Sequence, residues 1–161
     1  MRYYVVSDIH GFHSQLIAAL NQAGFFADQQ PHKLVVLGDL FDCGKEAKEL
    51  EAFISDLMDT DLVILIRGNH SHISDWRKAS DDLWKNARWV NGMAAYATVY
   101  EEDKVIVCGH WHTSYGHSMI EHNGSEFGSD AIFTPFYGNG IIALDACTSR
   151  TGFVNCIVLE D

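Results

Sequence analysis

Three successive units of one kind open the chain, and they restrict its fold more than any other feature of the sequence. Each unit begins with an apolar segment followed by a polar loop; the segments are RYYVVS (2–7), KLVVLG (33–38) and DLVILI (61–66). Amphipathic helices are predicted over 14–24 and 46–59, after the first two loops. Strand, loop and helix in repetition predict parallel strands joined by crossover helices, with LVIL of the third segment buried.

The second half of the chain has a weaker pattern. Ser74 predicts the start of a helix over 75–90, and KVIVCG (104–109) predicts a fourth strand. Residues 115–138 have no clean period and are predicted to form a long surface loop. GIIALDA (140–146) and GFVNCIVLE (152–160) predict an antiparallel hairpin. With 161 residues and no linker, residues 1–161 are expected to form one domain.

Charge and composition exclude several classes of protein. The net charge of −11 argues against a nucleic-acid partner, because binding to a phosphate backbone requires a basic surface. No apolar run approaches the roughly 18 residues of a membrane span, so we expect a cytoplasmic protein without a membrane partner. The four cysteines form no CxxC pair, which makes structural zinc and a disulfide framework poor interpretations.

Metal-type side chains follow each predicted parallel strand. Asp8 and His10 follow the first strand, Asp39 and Asp42 the second, and Asn69 with His70 the third. The carboxyl ends of such strands lie at one edge of the sheet, where ligands bind.

The fourth predicted strand is followed by His110 and His112. Together the loops offer oxygen and nitrogen ligands, which suit Mn²⁺, Fe or Zn²⁺. There are more ligands than one ion needs, so two divalent ions about 3.5–4 Å apart, bridged by a carboxylate, are expected.

The order DxH … GDxxD … GNH … GHxH, each at a strand end, resembles the calcineurin-like metallophosphoesterase superfamily. GDLFDCG and RGNH are similar to its branch of Ser/Thr protein phosphatases and phage-type phosphatases. The resemblance implies a layered α/β fold in which helices flank mixed β-sheets. It also implies that Asp8, His10 and His112 hold one metal ion, that Asn69 and His110 hold the other, and that Asp39 bridges them.

The same resemblance implies roles for three more residues. His70 would protonate the leaving oxygen, Asp42 would orient the ring of His70, and Arg67 would bind the phosphate oxygens. The implied activity is metal-dependent hydrolysis of phosphomonoesters by a hydroxide that two metal ions activate. Phosphoproteins and nucleotides are both open as substrates.

The chain departs from the family pattern at three places. Cys43 stands where that branch usually has a second phosphate-binding arginine, and Ser71 stands where an acidic residue is usual. No histidine occurs over 73–109, where the family has another metal ligand on its own strand. The chain is also short for the family, so we expect one strand segment to be absent just after His72. Either His72 replaces that ligand or the second metal site is incomplete.

The departures leave two functions open. The first is an active metal-dependent phosphatase, whose activity an incomplete second site would reduce. The alternative is a catalytically impaired metal-binding or scaffold descendant of the same fold. An absent strand would also expose a sheet edge, and a homodimer that covers this edge would be one consequence.

Overall fold

The structure is a computed structural model that describes residues 1–66, 68, 91–96 and 104–161. The strands in these ranges are β1 Arg2–Val6, β2 His32–Val36, β3 Val63–Leu65, β4 Ile106–Cys108, β5 Phe136–Gly138, β6 Ile141–Ala143 and β7 Cys156–Glu160. The helices are α1 His13–Ala23, α2 Ala47–Asp59, α3 Gly92–Tyr96 and α4 Thr148–Thr151, with a 3₁₀ turn at Phe25–Ala27 and a π-helix at Gly116–Ile120. The helix predicted over 75–90 lies outside the described residues.

The predicted crossover units are confirmed in the first sheet. Its strand order is β3-β2-β1-β7, and β1, β2 and β3 run parallel, while β7 is antiparallel to β1. Gly24 ends α1 in the left-handed conformation with φ 89°, where its N–H bonds the last carbonyls of the helix. Because β1 and β2 run parallel, their carboxyl ends lie at the same edge of this sheet.

A second sheet has the strand order β4-β6-β5, with β4 parallel to β6 and β5 antiparallel to β6. The predicted hairpin of 140–146 with 152–160 is wrong, because β6 and β7 belong to different sheets. The turn at 139–140 joins β5 to β6 instead, and Asn-Gly is a common hairpin turn. The predicted loop over 115–138 is likewise wrong in part, since it contains the π-helix and β5.

Three apolar clusters hold the layers together. One packs α1 and α2 on the outer face of the first sheet, around Leu16, Leu34 and Leu50. A second lies between the two sheets, around Val5, Leu144 and Ile157. The third covers the outer face of the second sheet with Met93 of α3. The result is the layered α/β arrangement, two mixed sheets flanked by helices, that the sequence predicts.

Two details of burial differ from the sequence prediction. The helical period placed Ala47, Leu50, Phe53, Ile54, Leu57 and Met58 on one inward face. Met58 is 58% exposed because it lies one position past the buried stripe of Leu50, Ile54 and Leu57. The third strand was expected to be buried, yet Ile64 and Leu65 are 41% and 40% exposed. Within the described residues, β3 is an edge strand of its sheet, which explains that exposure.

In the part of the chain that the structure describes, no helix has both the length and the apolar character needed to span a membrane.

Candidate metal centre

The loops after β1 and β2 are fastened to each other by their backbones. His10 N–H donates to the Asp39 carbonyl at 2.8 Å, and Gly44 N–H donates to the His10 carbonyl at 2.5 Å. The Thr148 hydroxyl of α4, which is buried, donates to the Asp8 carbonyl at 2.9 Å. These bonds fix the positions of the loops, and hence of the side chains they carry.

Asp8, His10 and Asp39 form the centre of the site. Their ligand atoms all lie within 4.8 Å of one another, and both carboxylates are only 3% exposed. The structure therefore brings the side chains that follow the first two strands together at one place. Two carboxylates and one imidazole around a common space are the donor set of a borderline or hard divalent cation.

The buried carboxylates carry an electrostatic cost that a cation would remove. Burial raises the pKa of Asp8, and the charge of Asp39 raises it further. The hydrogen bond of 3.0 Å that Asp8 accepts from the His110 backbone N–H lowers this pKa but does not offset the rise. Burial and the charge of Asp8 likewise raise the pKa of Asp145 to about 7. A divalent ion held by Asp8 and Asp39 would neutralise this repulsion, so the residues present fit a metal.

His10 links the centre to Asp42. Its Nδ1 lies 2.5 Å from Asp42 Oδ1, and its Nε2 lies 3.9 Å from Asp8 Oδ1. Burial opposes the charge of the ring, but the hydrogen bond and charge of Asp42, with Asp8 and Asp39, raise the pKa of His10. A carboxylate on one ring nitrogen fixes the ring so that the other nitrogen faces a metal. Asp42 was expected to orient His70; among the described contacts it orients His10.

Cys43 lies beside this pair. Its Sγ is 3.6 Å from Asp42 Oδ2, and the ligand atoms of His10, Asp42 and Cys43 also fall within 4.8 Å of one another. Burial and the neighbouring carboxylates raise the pKa of the Cys43 thiol.

The loop after β4 reaches the centre through its backbone. The His110 N–H bonds Asp8, whereas His112 Nε2 lies 3.2 Å from Glu126 Oε1. Among the described residues, the rings of His110 and His112 belong to neither of the two clusters of potential metal ligands, Asp8/His10/Asp39 and His10/Asp42/Cys43. The ligand roles of these two histidines therefore stay predictions. Arg67, Asn69 and His70, for which site roles are predicted, lie outside the described residues, as does His72.

Two motif glycines pack directly on the carboxylates. A Cβ at Gly68 would lie 2.0 Å from Asp39 Oδ1, and one at Gly109 would lie 2.3 Å from Asp8 Oδ2. These distances are too short for any larger residue. The glycines of RGNH and GHxH are therefore needed to let the loops after β3 and β4 approach the buried acids.

The backbone at the centre is unusual as well. Asp8, His10, Asp39 and His110 all have positive φ, between 47° and 68°. Few non-glycine residues adopt this region, and clusters of them mark functional sites.

Sequence reasoning missed two acidic residues near the site. Asp145 follows the apolar strand β6, which is the same signal that identified Asp8 and Asp39. It was overlooked because its segment was predicted to be part of a hairpin. Glu126, which contacts His112, lies in a region that was predicted to be an irregular loop, and no sequence pattern marks it.

The fold and this centre define a layered α/β protein with a metal-type carboxylate–imidazole site. Residues 1–133 match the calcineurin-like phosphoesterase family, and the chain belongs to that family.

Two curated relatives are similar to the chain. It is 32% identical over 109 residues to serine/threonine-protein phosphatase 1 of Salmonella typhimurium, and the aligned region covers 65% of the chain and 48% of the relative. It is 33% identical over 76 residues to bis(5'-nucleosyl)-tetraphosphatase PrpE of Bacillus velezensis, and that aligned region covers 44% of the chain and 30% of the relative. The chain thus spans less than half the length of either relative.

A mutant of a cold-active protein tyrosine phosphatase is a similar solved structure. It shares 23% identity over 53% of this chain and 30% of its own, with a TM-score of 0.40.

Proposed function

We propose that this chain is a metal-dependent phosphoesterase that hydrolyses phosphomonoesters. The observation that supports it most is the meeting of Asp8, His10 and Asp39 at one sheet edge, in a family of phosphoesterases. Bound divalent ions, either Mn²⁺, Fe or Zn²⁺, would act as Lewis acids that lower the pKa of water and neutralise phosphoryl oxygens.

The chain's own residues have distinct parts in this proposal. Asp8, His10 and His112 would hold one ion, Asn69 and His110 would hold the second, and Asp39 would be a ligand shared by both. Asp42 keeps the His10 ring in place through the bond to Nδ1.

The remaining chemistry falls to the RGNH segment. Arg67 binds the phosphate oxygens through its planar guanidinium group, and His70 donates a proton to the leaving oxygen. The substrate class follows the relatives: one is a serine/threonine-protein phosphatase and the other a bis(5'-nucleosyl)-tetraphosphatase. Phosphoproteins and nucleotides are therefore the substrates to compare.

A metal and turnover assay tests the proposal. Metal-free protein is loaded with Mn²⁺, bound metal per chain is measured, and hydrolysis of p-nitrophenyl phosphate, a phosphoserine peptide and diadenosine tetraphosphate is followed. About two ions per chain and turnover that EDTA abolishes are expected. Asp8→Asn and Asp39→Asn should lose both metal and turnover. Asp61→Asn is the matched control, because Asp61 also has positive φ (55°) and its side chain is 88% exposed.

The same assay tests the competing function. The absence of a histidine over 73–109 favours a metal-binding or scaffold descendant, because the family uses a further histidine there. One ion or none per chain, without hydrolysis of any of the three substrates, would establish that alternative. The proposed phosphatase would then be wrong.

A further inference from the structure

Residues 121–131 form a closed and well-bonded segment, which we call the Glu126 loop. Asn123 N–H donates to the His117 carbonyl at 2.9 Å, and Ser125 N–H donates to the Asp130 carbonyl at 3.2 Å. Ser125 also forms a bridge with Ala131, so the part of the loop from 125 to 131 is closed on itself. A segment bonded in this way presents its tip in one conformation.

The tip of the loop is attached to the motif that follows β4. The Ser114 hydroxyl, which is fully buried, donates to the Glu126 carbonyl at 2.8 Å. Next to that anchor, Glu126 Oε1 lies 3.2 Å from His112 Nε2. The side chains of His112 and Glu126 are 18% and 29% exposed, so their contact is partly shielded from water.

Two aromatic rings also lie close to the His112 ring. The Trp111 ring is stacked on it, with centroids 6.0 Å apart and planes 20° apart. The Phe127 ring has its centroid 5.0 Å from that of His112. The two aromatic contacts limit the tilt of the imidazole, and the bond to Glu126 limits its rotation.

We propose that Glu126 is a positioning residue for His112. The carboxylate accepts a hydrogen bond from Nε2–H and thereby fixes the tautomer in which Nδ1 carries the lone pair for a divalent cation. This inference rests on the proposed function, because it takes His112 to be a metal ligand. It adds a residue that the DxH, GDxxD, GNH and GHxH motifs do not contain.

A second histidine–carboxylate pair in the same region provides the control. His117 Nδ1 lies 2.7 Å from Glu121 Oε2, and His117 Nε2 lies 3.1 Å from the Thr134 carbonyl. Both ring nitrogens of His117 are engaged by the protein, so this ring has no nitrogen left for a metal. Glu121→Gln removes the charge of a pair that is structural, while Glu126→Gln removes the charge of the pair that is proposed to position a ligand.

Mn²⁺ binding to metal-free protein tests the inference by calorimetry. Glu126→Gln should weaken one class of sites by about 10- to 100-fold, as outer-shell partners of metal ligands do, and Glu121→Gln should bind like the wild type. The double variant Glu126→Gln/His112→Ala should bind Mn²⁺ no more weakly than His112→Ala alone, because Glu126 is proposed to act only through the His112 ring. The visible spectrum of Co²⁺-loaded protein should change in Glu126→Gln and not in Glu121→Gln.

Two results would overturn the inference alone. If His112→Ala weakens binding but Glu126→Gln binds like the wild type, Glu126 does not position the ring. If the losses multiply in the double variant, Glu126 acts independently of His112. A wild type that binds no metal, or a His112→Ala variant that binds like the wild type, would instead remove the ligand assignment on which the inference rests. Metal binding that follows the inference without any turnover would contradict only the proposed function.

Discussion

Gly109→Ala is the substitution whose effect follows most directly from the geometry. Gly109 does not have a positive φ, so alanine can adopt its backbone conformation. The added Cβ, however, would lie 2.3 Å from Asp8 Oδ2 and 2.7 Å from Ser7 Cβ, whereas ordinary contacts begin at 3.4 Å. The carboxylate of Asp8 must therefore move by about 1 Å, or the loop must move away from it.

Two magnitudes follow from that displacement. Overpacking of this kind lowers the free energy of unfolding by about 1–3 kcal/mol. Metal–ligand distances tolerate only about 0.2 Å, so a shift of either the Asp8 carboxylate or the loop that carries His110 and His112 disturbs the site, and Mn²⁺ affinity should fall about tenfold, or about 1.4 kcal/mol. Urea unfolding of metal-free protein measures the first quantity, and Mn²⁺ calorimetry measures the second.

Gly24→Ala separates steric displacement at the site from general destabilisation. Gly24 has φ +89° with no atom within 4 Å of the new Cβ, so its substitution costs about 1 kcal/mol of backbone strain and nothing at the metal centre. Gly24→Ala should bind Mn²⁺ like the wild type. If Gly109→Ala also binds Mn²⁺ with wild-type affinity, Asp8 either is not a ligand or relaxes without cost, and the reasoning fails.

Three further predictions concern other residues. Cys43→Arg should lower KM for phosphate esters by adding a planar phosphate-binding group, and Cys43→Lys should lower it less; an unchanged or raised KM for the arginine variant would contradict the idea of a lost phosphate clamp. His70→Ala should reduce turnover by about 10²- to 10⁴-fold while the metal content stays unchanged, because His70 is proposed to donate a proton and not to bind metal. Loss of metal from this variant would show that His70 is a metal ligand. Hydrogen bonds from the backbone of Gln30 and the hydroxyl of Tyr4, with the Arg2 guanidinium, lower the pKa of Asp28 to about 2. Because this pKa is lower in the folded protein than in the unfolded chain, the ionised carboxylate stabilises the fold above pH 3.8, and this stabilisation is lost as the pH falls towards 2. The wild type should therefore have a higher urea midpoint than Asp28→Asn at pH 6, and the difference should disappear towards pH 2. A difference in midpoint that does not depend on pH would contradict this prediction.

The sequence predicts the first half of the fold well because its signals are local. The apolar periods of β1, α1, β2 and α2 and the stop at Gly24 each depend on neighbouring residues alone. Asp8, His10 and Asp39 were selected as candidates for the same reason, since each lies in the loop after a predicted strand.

The errors occur where pairing is non-local. The segment over 152–160 reads as a strand, but its partner is β1 at the other end of the chain, and no local period encodes that choice. The Glu126 loop gives no period either, because its bonds run within 125–131 and to residues that follow β4. Glu126 therefore becomes visible only when the tertiary contacts are known.

The positive φ values at the centre have a practical consequence for mutagenesis. Asp8, His10, Asp39 and His110 hold a backbone conformation that asparagine tolerates better than alanine or any β-branched residue. An alanine scan of this centre would thus mix lost chemistry with backbone relaxation, and some apparent catalytic defects would be misfolding. Asparagine at Asp8 and Asp39 keeps both the shape of the side chain and the backbone conformation, so those variants report the loss of the carboxylate charge without a change in the backbone.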